Sequence, residues 1–194
     1  PIPTPESTPL AVTDLSGPRT SYMLSKIYGE SMCQHSGVPF TILRPHNVYG
    51  PRMGMAHVIP ELLKRAYNSV NAEHLDVYSP DHTRTFCFID DAIDIFLRSA
   101  QEKQCENQTL NLGTQGPEIT MREVAQIVLE TVGRDLKINE LAPTEGSPSR
   151  RCPEMSKTNE LIDFYSRVTL KDGVEKTFNW YKENVFDGST ISAQ

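Results

Sequence analysis

Residues 1–18, PIPTPESTPLAVTDLSGP, show no regular spacing of apolar positions and are rich in Pro, Ser and Thr, which predicts loop. From Arg19 to His35 the apolar positions Met23, Leu24, Ile27, Tyr28 and Met32 recur every three or four residues and predict a helix. Ser36-Gly37 should stop it, with Gly37 as the C-terminal cap. PFTILRP (39–45) is a short apolar run bounded by prolines and suits a buried strand. HNVYGPRMG reads as loop, and VIPELLKRAY (58–67) as helix with Pro60 tolerated in its first turn. Strands are expected at 74–79 and 84–89 around the turn SPDHT, then a helix over 90–100 whose acidic first turn suits the helix dipole. QTLNLG (108–113) predicts a strand ending in Gly, and ITMREVAQIVLETVG (119–133) an amphipathic helix. Thr120 and Glu123 have capping-box spacing at the start of that helix. A strand over 136–142, a Pro/Ser/Arg loop, and helices near SKTNELIDF and GVEKTFNWYKENV complete the pattern, with a frayed tail from 187.

Strands alternating with helices indicate an α/β fold with parallel strands. Only one strand, 39–44, has the composition of a fully buried central strand, too few for a self-sufficient doubly wound sheet.

The 194 residues are enough for one domain with a core, or for part of a larger one. An apolar fraction of 38% with 23% charged residues fits a soluble globular chain. A net charge of −6 argues against nucleic acid or an anionic membrane as the main partner. No apolar run approaches the roughly 20 residues that span a bilayer. Cys33, Cys87, Cys105 and Cys152 are irregularly spaced without a CxxC pair, which suits reduced thiols in the cytoplasm. The five histidines lack ligand spacing, so no metal is expected.

Tyr22 and Lys26 stand four apart in the first helix, hence on one face. A phenol is a poor base at neutral pH. An adjacent ammonium favours its ionised form and makes it a usable acid/base. On the residues alone, an ordinary surface pair and a catalytic pair both remain open. Tyr22, Lys26, Gly29 and Cys33 share one narrow sector of the helix, while Met23, Leu24, Ile27, Tyr28, Ser31 and Met32 cover nearly half its circumference. Gly29 costs about 1 kcal/mol against Ala in mid-helix, and close packing would explain it.

The order YxxxK, LRPHNVYGPR (43–52), TRTFCFIDDAID (83–94), LNLGTQGPEIT (110–120) and RRCPEMSK (150–157) resembles the extended short-chain dehydrogenase/reductases. More narrowly, it resembles their NAD-dependent nucleotide-sugar epimerase/dehydratase group. The resemblance covers nearly the whole chain. It implies the C-terminal part of a Rossmann-like doubly wound parallel sheet, with strand 39–44 paired in parallel with strand 109–112, plus a small α/β substrate-binding subdomain. Residues 1–55 and 86–116 would be the remainder of the NAD-binding domain, and 56–85 with 117–186 the subdomain. Members of the group begin with a glycine-rich βαβ unit that cradles the cofactor pyrophosphate. This sequence has no GxxGxxG, so NAD would be bound mainly by a preceding half that is not in it.

By resemblance, Tyr22 exchanges a proton with a sugar hydroxyl, and Lys26 holds the nicotinamide ribose. Pro45 and His46 fall where the family lays backbone near the nicotinamide, and His46 also reads as a packed loop residue. Asn47 matches a position whose amide contacts the sugar-nucleotide diphosphate; a turn Asn serving its own backbone is the plain alternative. His57 and Val58 lie near the same phosphates, His57 where many relatives carry Asn. Arg84 and Arg151 match two diphosphate-binding arginines, a role suited to a guanidinium fork, with surface ion pairs as the alternative. Glu154 stands where the family usually has Asp, while Asp90 and Asp91 read as helix-start residues.

The implied activity is that of an enzyme that transiently oxidises a nucleotide-diphosphate sugar, with epimerisation first among epimerisation, dehydration and decarboxylation. A cofactor-free sugar-nucleotide-binding or assembly module is an alternative of another class, and a reductase of non-sugar carbonyls a third. Relatives pair two helices per subunit in a dimer interface, so a homodimer through the helix at 20–35 is expected.

Overall fold

The computed structural model describes residues 1–12, 14–17, 19–143 and 147–187. Most of the tail expected to fray therefore lies outside the described residues. The alternation of apolar strands and amphipathic helices builds an α/β structure in which parallel pairs dominate.

Strand β1 (Thr41–Pro45) pairs in parallel with a later strand, β6 (Gln108–Leu112), in the register Thr41↔Gln108 through Pro45↔Leu112. This is the pairing the sequence predicts. The burial is not: Thr41–Arg44 are only half-buried and Pro45 is exposed. Among the described residues β1 has a strand on one side only, so its apolar composition exceeds the cover that those residues supply.

The segment expected as one strand over 84–89 divides in two. β4 (Thr83–Arg84) lies between β7 (Ile119–Thr120, antiparallel) and β9 (Arg150–Arg151, parallel). β5 (Cys87–Phe88) pairs in parallel with β2 (Val48–Tyr49). The Asn47 side chain donates to the carbonyl of Thr85 at 2.9 Å, taking up a backbone group at the break. Strands β2 and β9, both read as loop in the sequence, arise in this way from distant partners. The strand expected at 74–79 is β3 (His74–Tyr78), and it pairs in parallel with β8 (Lys137–Leu141) rather than across its turn.

Helix α1 (Thr20–Gln34) runs almost as far as expected, but its C-cap is His35 and not Gly37. His35 donates its backbone N–H to Ser31 O and the Ser36 hydroxyl donates to Cys33 O, so the last carbonyls are satisfied before the glycine is reached. Gly37, at φ +75°, serves the reversal that follows. Helices α2 (Val58–Asn68), with Pro60 in its first turn, and α3 (Ile89–Gln101), with Asp90 and Asp91 at its start, follow expectation. So does α4 (Met121–Val132), where Thr120 and Glu123 form the capping box and Gly133 closes the helix at φ +71°. Helix α5 spans Ser156–Ile162. Helix α6 (Leu170–Tyr181) starts three residues before the expected position because Thr169 caps it, accepting from the Asp172 N–H. A π-helical turn over Lys182–Phe186 continues it.

Two buried clusters result. One joins α2, α4 and α6 to β3 through Leu62, Leu63, Leu75, Val77, Val124, Val128 and Val174. The other joins α3, α5 and β6 through Ile95, Leu110, Met155 and Ile162. In the first cluster, Tyr49 stands so close to α6 that only glycine fits at 173, where a Cβ would lie 2.0 Å from the tyrosine oxygen. Helix α1 joins neither cluster and buries only Thr20. Close packing does not account for Gly29, because its Cβ position meets no atom within 4 Å.

Candidate active site

Spacing of four residues brings Tyr22 and Lys26 side by side on α1, with the Lys26 ammonium 5.3 Å from the centroid of the Tyr22 ring. Tyr22 is 63% exposed, and neither its hydroxyl nor the Lys26 ammonium hydrogen-bonds to another described residue. Both are therefore free to meet a ligand.

At the carboxyl end of β1, where open parallel sheets place their sites, Pro45 is exposed and His46 is half-buried. The His46 Nε2 lies 3.1 Å from Asn111 Oδ1. Burial lowers the His46 pKa from its usual value. The Asn111 hydrogen bond opposes this, and Arg151 and Arg44 add to it. Asn111 gathers the surroundings: its Nδ2 donates to Thr4 O (3.0 Å) and Glu154 O (2.9 Å), and its N–H donates to Glu6 Oε1 (2.8 Å). The Thr158 hydroxyl donates to its carbonyl at 2.7 Å.

Asn47 follows at φ +44°, a left-handed conformation that Asn tolerates well. It lines a cavity of about 320 Å³ together with Val58, Arg84, Tyr78 and Ser147. The Arg84 guanidinium is held by Ser147 Oγ at 3.1 Å, Pro148 O at 2.6 Å and its neighbour's carbonyl, Thr83 O, at 2.7 Å. Its pKa is lowered by burial and by the nearby Arg151. Arg151 is the register partner of Arg84 across the β4–β9 pair. It is exposed and makes no hydrogen bond or ion pair with a described residue, whereas its neighbour Arg150 is engaged by Glu118 (Nε–Oε2 2.7 Å). Glu154 turns to α5, accepting the Ser156 N–H at 2.7 Å.

The structure thus gathers Asn47, Val58 and Arg84 at one cavity and sets Arg151 beside Arg84. His57 is exposed in the N-cap position of α2 with no capping bond, and is not part of the lining. Asn111, Glu6 and Ser147 were not singled out in the sequence. Asn111 left one signal, a lone amide inside the apolar strand TLNLG.

Residues 1–113 match the NAD dependent epimerase/dehydratase family. The chain belongs to that family. It is 30% identical to the UDP-N-acetyl-alpha-D-glucosaminuronate decarboxylase of Bacillus cytotoxicus, over 85% of this chain and 54% of that protein. It is 31% identical to GDP-L-fucose synthase 1 of Arabidopsis thaliana, over 95% and 59% respectively. Among solved structures, the UDP-glucose 4-epimerase of Thermotoga maritima superposes with a TM-score of 0.78 at 24% identity, over 94% of this chain and 58% of that one. The UDP-glucuronic acid 4-epimerase of Bacillus cereus, in complex with UDP-glucuronic acid and NAD, gives 0.75 at 25% identity, over 92% and 58%. The chain spans about half the length of the curated relatives it matches. The family and the Rossmann-like α/β fold therefore agree with the resemblance carried by the sequence motifs.

Proposed function

We propose that this chain carries the sugar-nucleotide-binding half of an NAD-dependent enzyme that epimerises a nucleotide-diphosphate sugar. The observation that supports the reading most is the β4–β9 register. It sets Arg84, which lines a cavity with Asn47 and Val58, beside Arg151, which has no partner among the described residues. Two neighbouring guanidinium groups suit a diphosphate, and Glu61 is the carboxylate among the described residues lining the cavity. Structural cost separates them: Arg84 is already committed to the loop at Ser147 and Pro148, whereas Arg151 has no partner among the described residues.

In this reading Tyr22 moves a proton to and from the sugar hydroxyl, and Lys26 presents its donors to the nicotinamide ribose. The freedom of both groups fits such a ligand. NAD, when bound, supplies the hydride acceptor. The backbone of Pro45 and His46 would line the nicotinamide site, and His57 would stand near the phosphates. Residues 1–55 with 86–116 form the cofactor side and 56–85 with 117–186 the substrate side, in a homodimer joined through α1. Decarboxylation is the second reading, favoured by the UDP-glucuronic acid decarboxylases among the 31%-identical relatives.

Calorimetry with UDP-glucuronic acid tests the assignment. Arg151→Ala should weaken binding about ten- to a hundredfold, the worth of one charged hydrogen-bonded contact at roughly 1.5–3 kcal/mol. It should leave the melting temperature unchanged, whereas Arg84→Ala should lower both. Binding unaltered by either change, or none by the parent chain, would overturn the reading.

A further inference from the structure

We infer that Asn111 is a positioning residue that fixes His46 as the Nε2–H tautomer, leaving Nδ1 as a bare hydrogen-bond acceptor at the carboxyl end of β1. The argument begins with the Asn111 amide. Its two possible orientations are not equivalent, because the same end of the group faces two backbone carbonyls, Thr4 O at 3.0 Å and Glu154 O at 2.9 Å. A carbonyl accepts and cannot donate, so that end must be the NH₂. The oxygen end then faces His46 Nε2 at 3.1 Å. Oxygen accepts only, so Nε2 must carry the proton. In the neutral ring the other nitrogen has none.

The amide has no freedom to evade this logic. Asn111 is 2% exposed, and its N–H and carbonyl are also engaged, by Glu6 and Thr158. A flip would press Oδ1 against two carbonyl oxygens in a buried site and forfeit both of their hydrogen bonds, a costly exchange. The half-buried His46 is held at its base. A Cβ at Gly113 would lie 3.2 Å from His46 Cβ, so the strand end packs directly against the residue. The charged groups that act on the ring are Arg151, Arg44 and Glu6; the two cations disfavour a charged imidazole, as does burial, and Glu6 opposes them. Nδ1 makes no hydrogen bond to a described residue.

The consequence is chemical selection. A neutral acceptor welcomes a hydroxyl or a carboxamide N–H and repels the lone pairs of a phosphate or carboxylate. His46 is thus distinguished from Arg84 and Arg151 as a reader of donors rather than a third anchor for anions. Only this choice of ligand rests on the proposed function; the tautomer does not.

Two-bond ¹⁵N–¹H correlation spectra of the chain at pH 7 test the inference, with His46→Gln identifying the resonances. The expected result is a protonated Nε2 and an unprotonated Nδ1. A protonated Nδ1, a rapidly averaging mixture or a charged ring would overturn it. Asn111→Asp places a carboxylate against the ring, and the titration midpoint of His46 should rise by about 1–3 pH units. An unmoved midpoint in a folded variant would show that Asn111 does not govern the ring; if that variant fails to fold, the wild-type spectrum alone decides. The measurement needs no ligand, so a failure of sugar-nucleotide binding and a wrong tautomer are separately visible.

Discussion

Arg44 of β1 grips Glu30 of α1 with a two-pronged ion pair, Nε to Oε1 at 2.8 Å and Nη2 to Oε2 at 2.7 Å. The third arm of the guanidinium donates to the carbonyl of Glu6 at 2.9 Å. Both side chains are largely covered, at 20% and 17% exposure, so water competes little for them. Because α1 buries only Thr20, this pair is its main tie to the sheet, and through it the position of Tyr22 and Lys26 is set.

Glu30→Gln should therefore loosen α1 without unfolding the rest. The loss of charged hydrogen bonds, roughly 1.5–3 kcal/mol, should appear as about ten- to a hundredfold faster amide exchange within residues 20–34. Exchange in α4 should be unaltered. Equal acceleration in both helices would mean that the pair supports the whole fold instead.

Two glycines should respond to alanine in opposite directions. At Gly173 the new methyl would meet Tyr49 and Phe88, so Gly173→Ala should destabilise by about 1–3 kcal/mol. At Gly29 the space is open and the conformation helical, so Gly29→Ala should stabilise α1 by up to about 1 kcal/mol. Denaturant midpoints for Gly173→Ala and exchange protection for Gly29→Ala measure the two. A stabilising Gly173→Ala would refute the contact with Tyr49.

Cys87 makes stability fall at alkaline pH. Burial raises its thiol from 9.0 to about 12, with Asp91 acting in the same sense. The unfolded chain releases this proton from about pH 9, while the folded chain retains it. Below pH 9 the stabilisation is fully present, and it is lost progressively as pH climbs from 9 towards 12. The buried Cys105 and Cys152 and the phenol of Tyr49 are also raised by burial and act in the same direction. Cys87→Ala should flatten the decline of the urea midpoint between pH 9 and 11 relative to the parent chain. Parallel declines would show that this thiol is not protected.

The sequence by itself determined the features whose causes lie within a few residues. The Tyr22–Lys26 spacing, the Thr120–Glu123 capping box, Pro60 in the first turn of α2 and the α/β alternation are properties of neighbours three or four apart. Motif order added the parallel β1–β6 pairing and the family. Tertiary structure decided what depends on choosing among distant partners. Residues 84–89 have the composition of one strand, yet the backbone of Arg84 pairs with that of Arg151 and the backbone of Cys87 with that of Val48, so the run divides. The C-terminal glycine signal at 37 lost to nearer hydroxyl and backbone donors at Ser36 and His35. The Arg84 clasp on Pro148 spans 64 residues, and the His46–Asn111 contact spans 65. Such contacts leave no periodic trace in a sequence. Each polar group has many chemically equivalent partners, and only the packing of the sheet around it leaves a single one within reach.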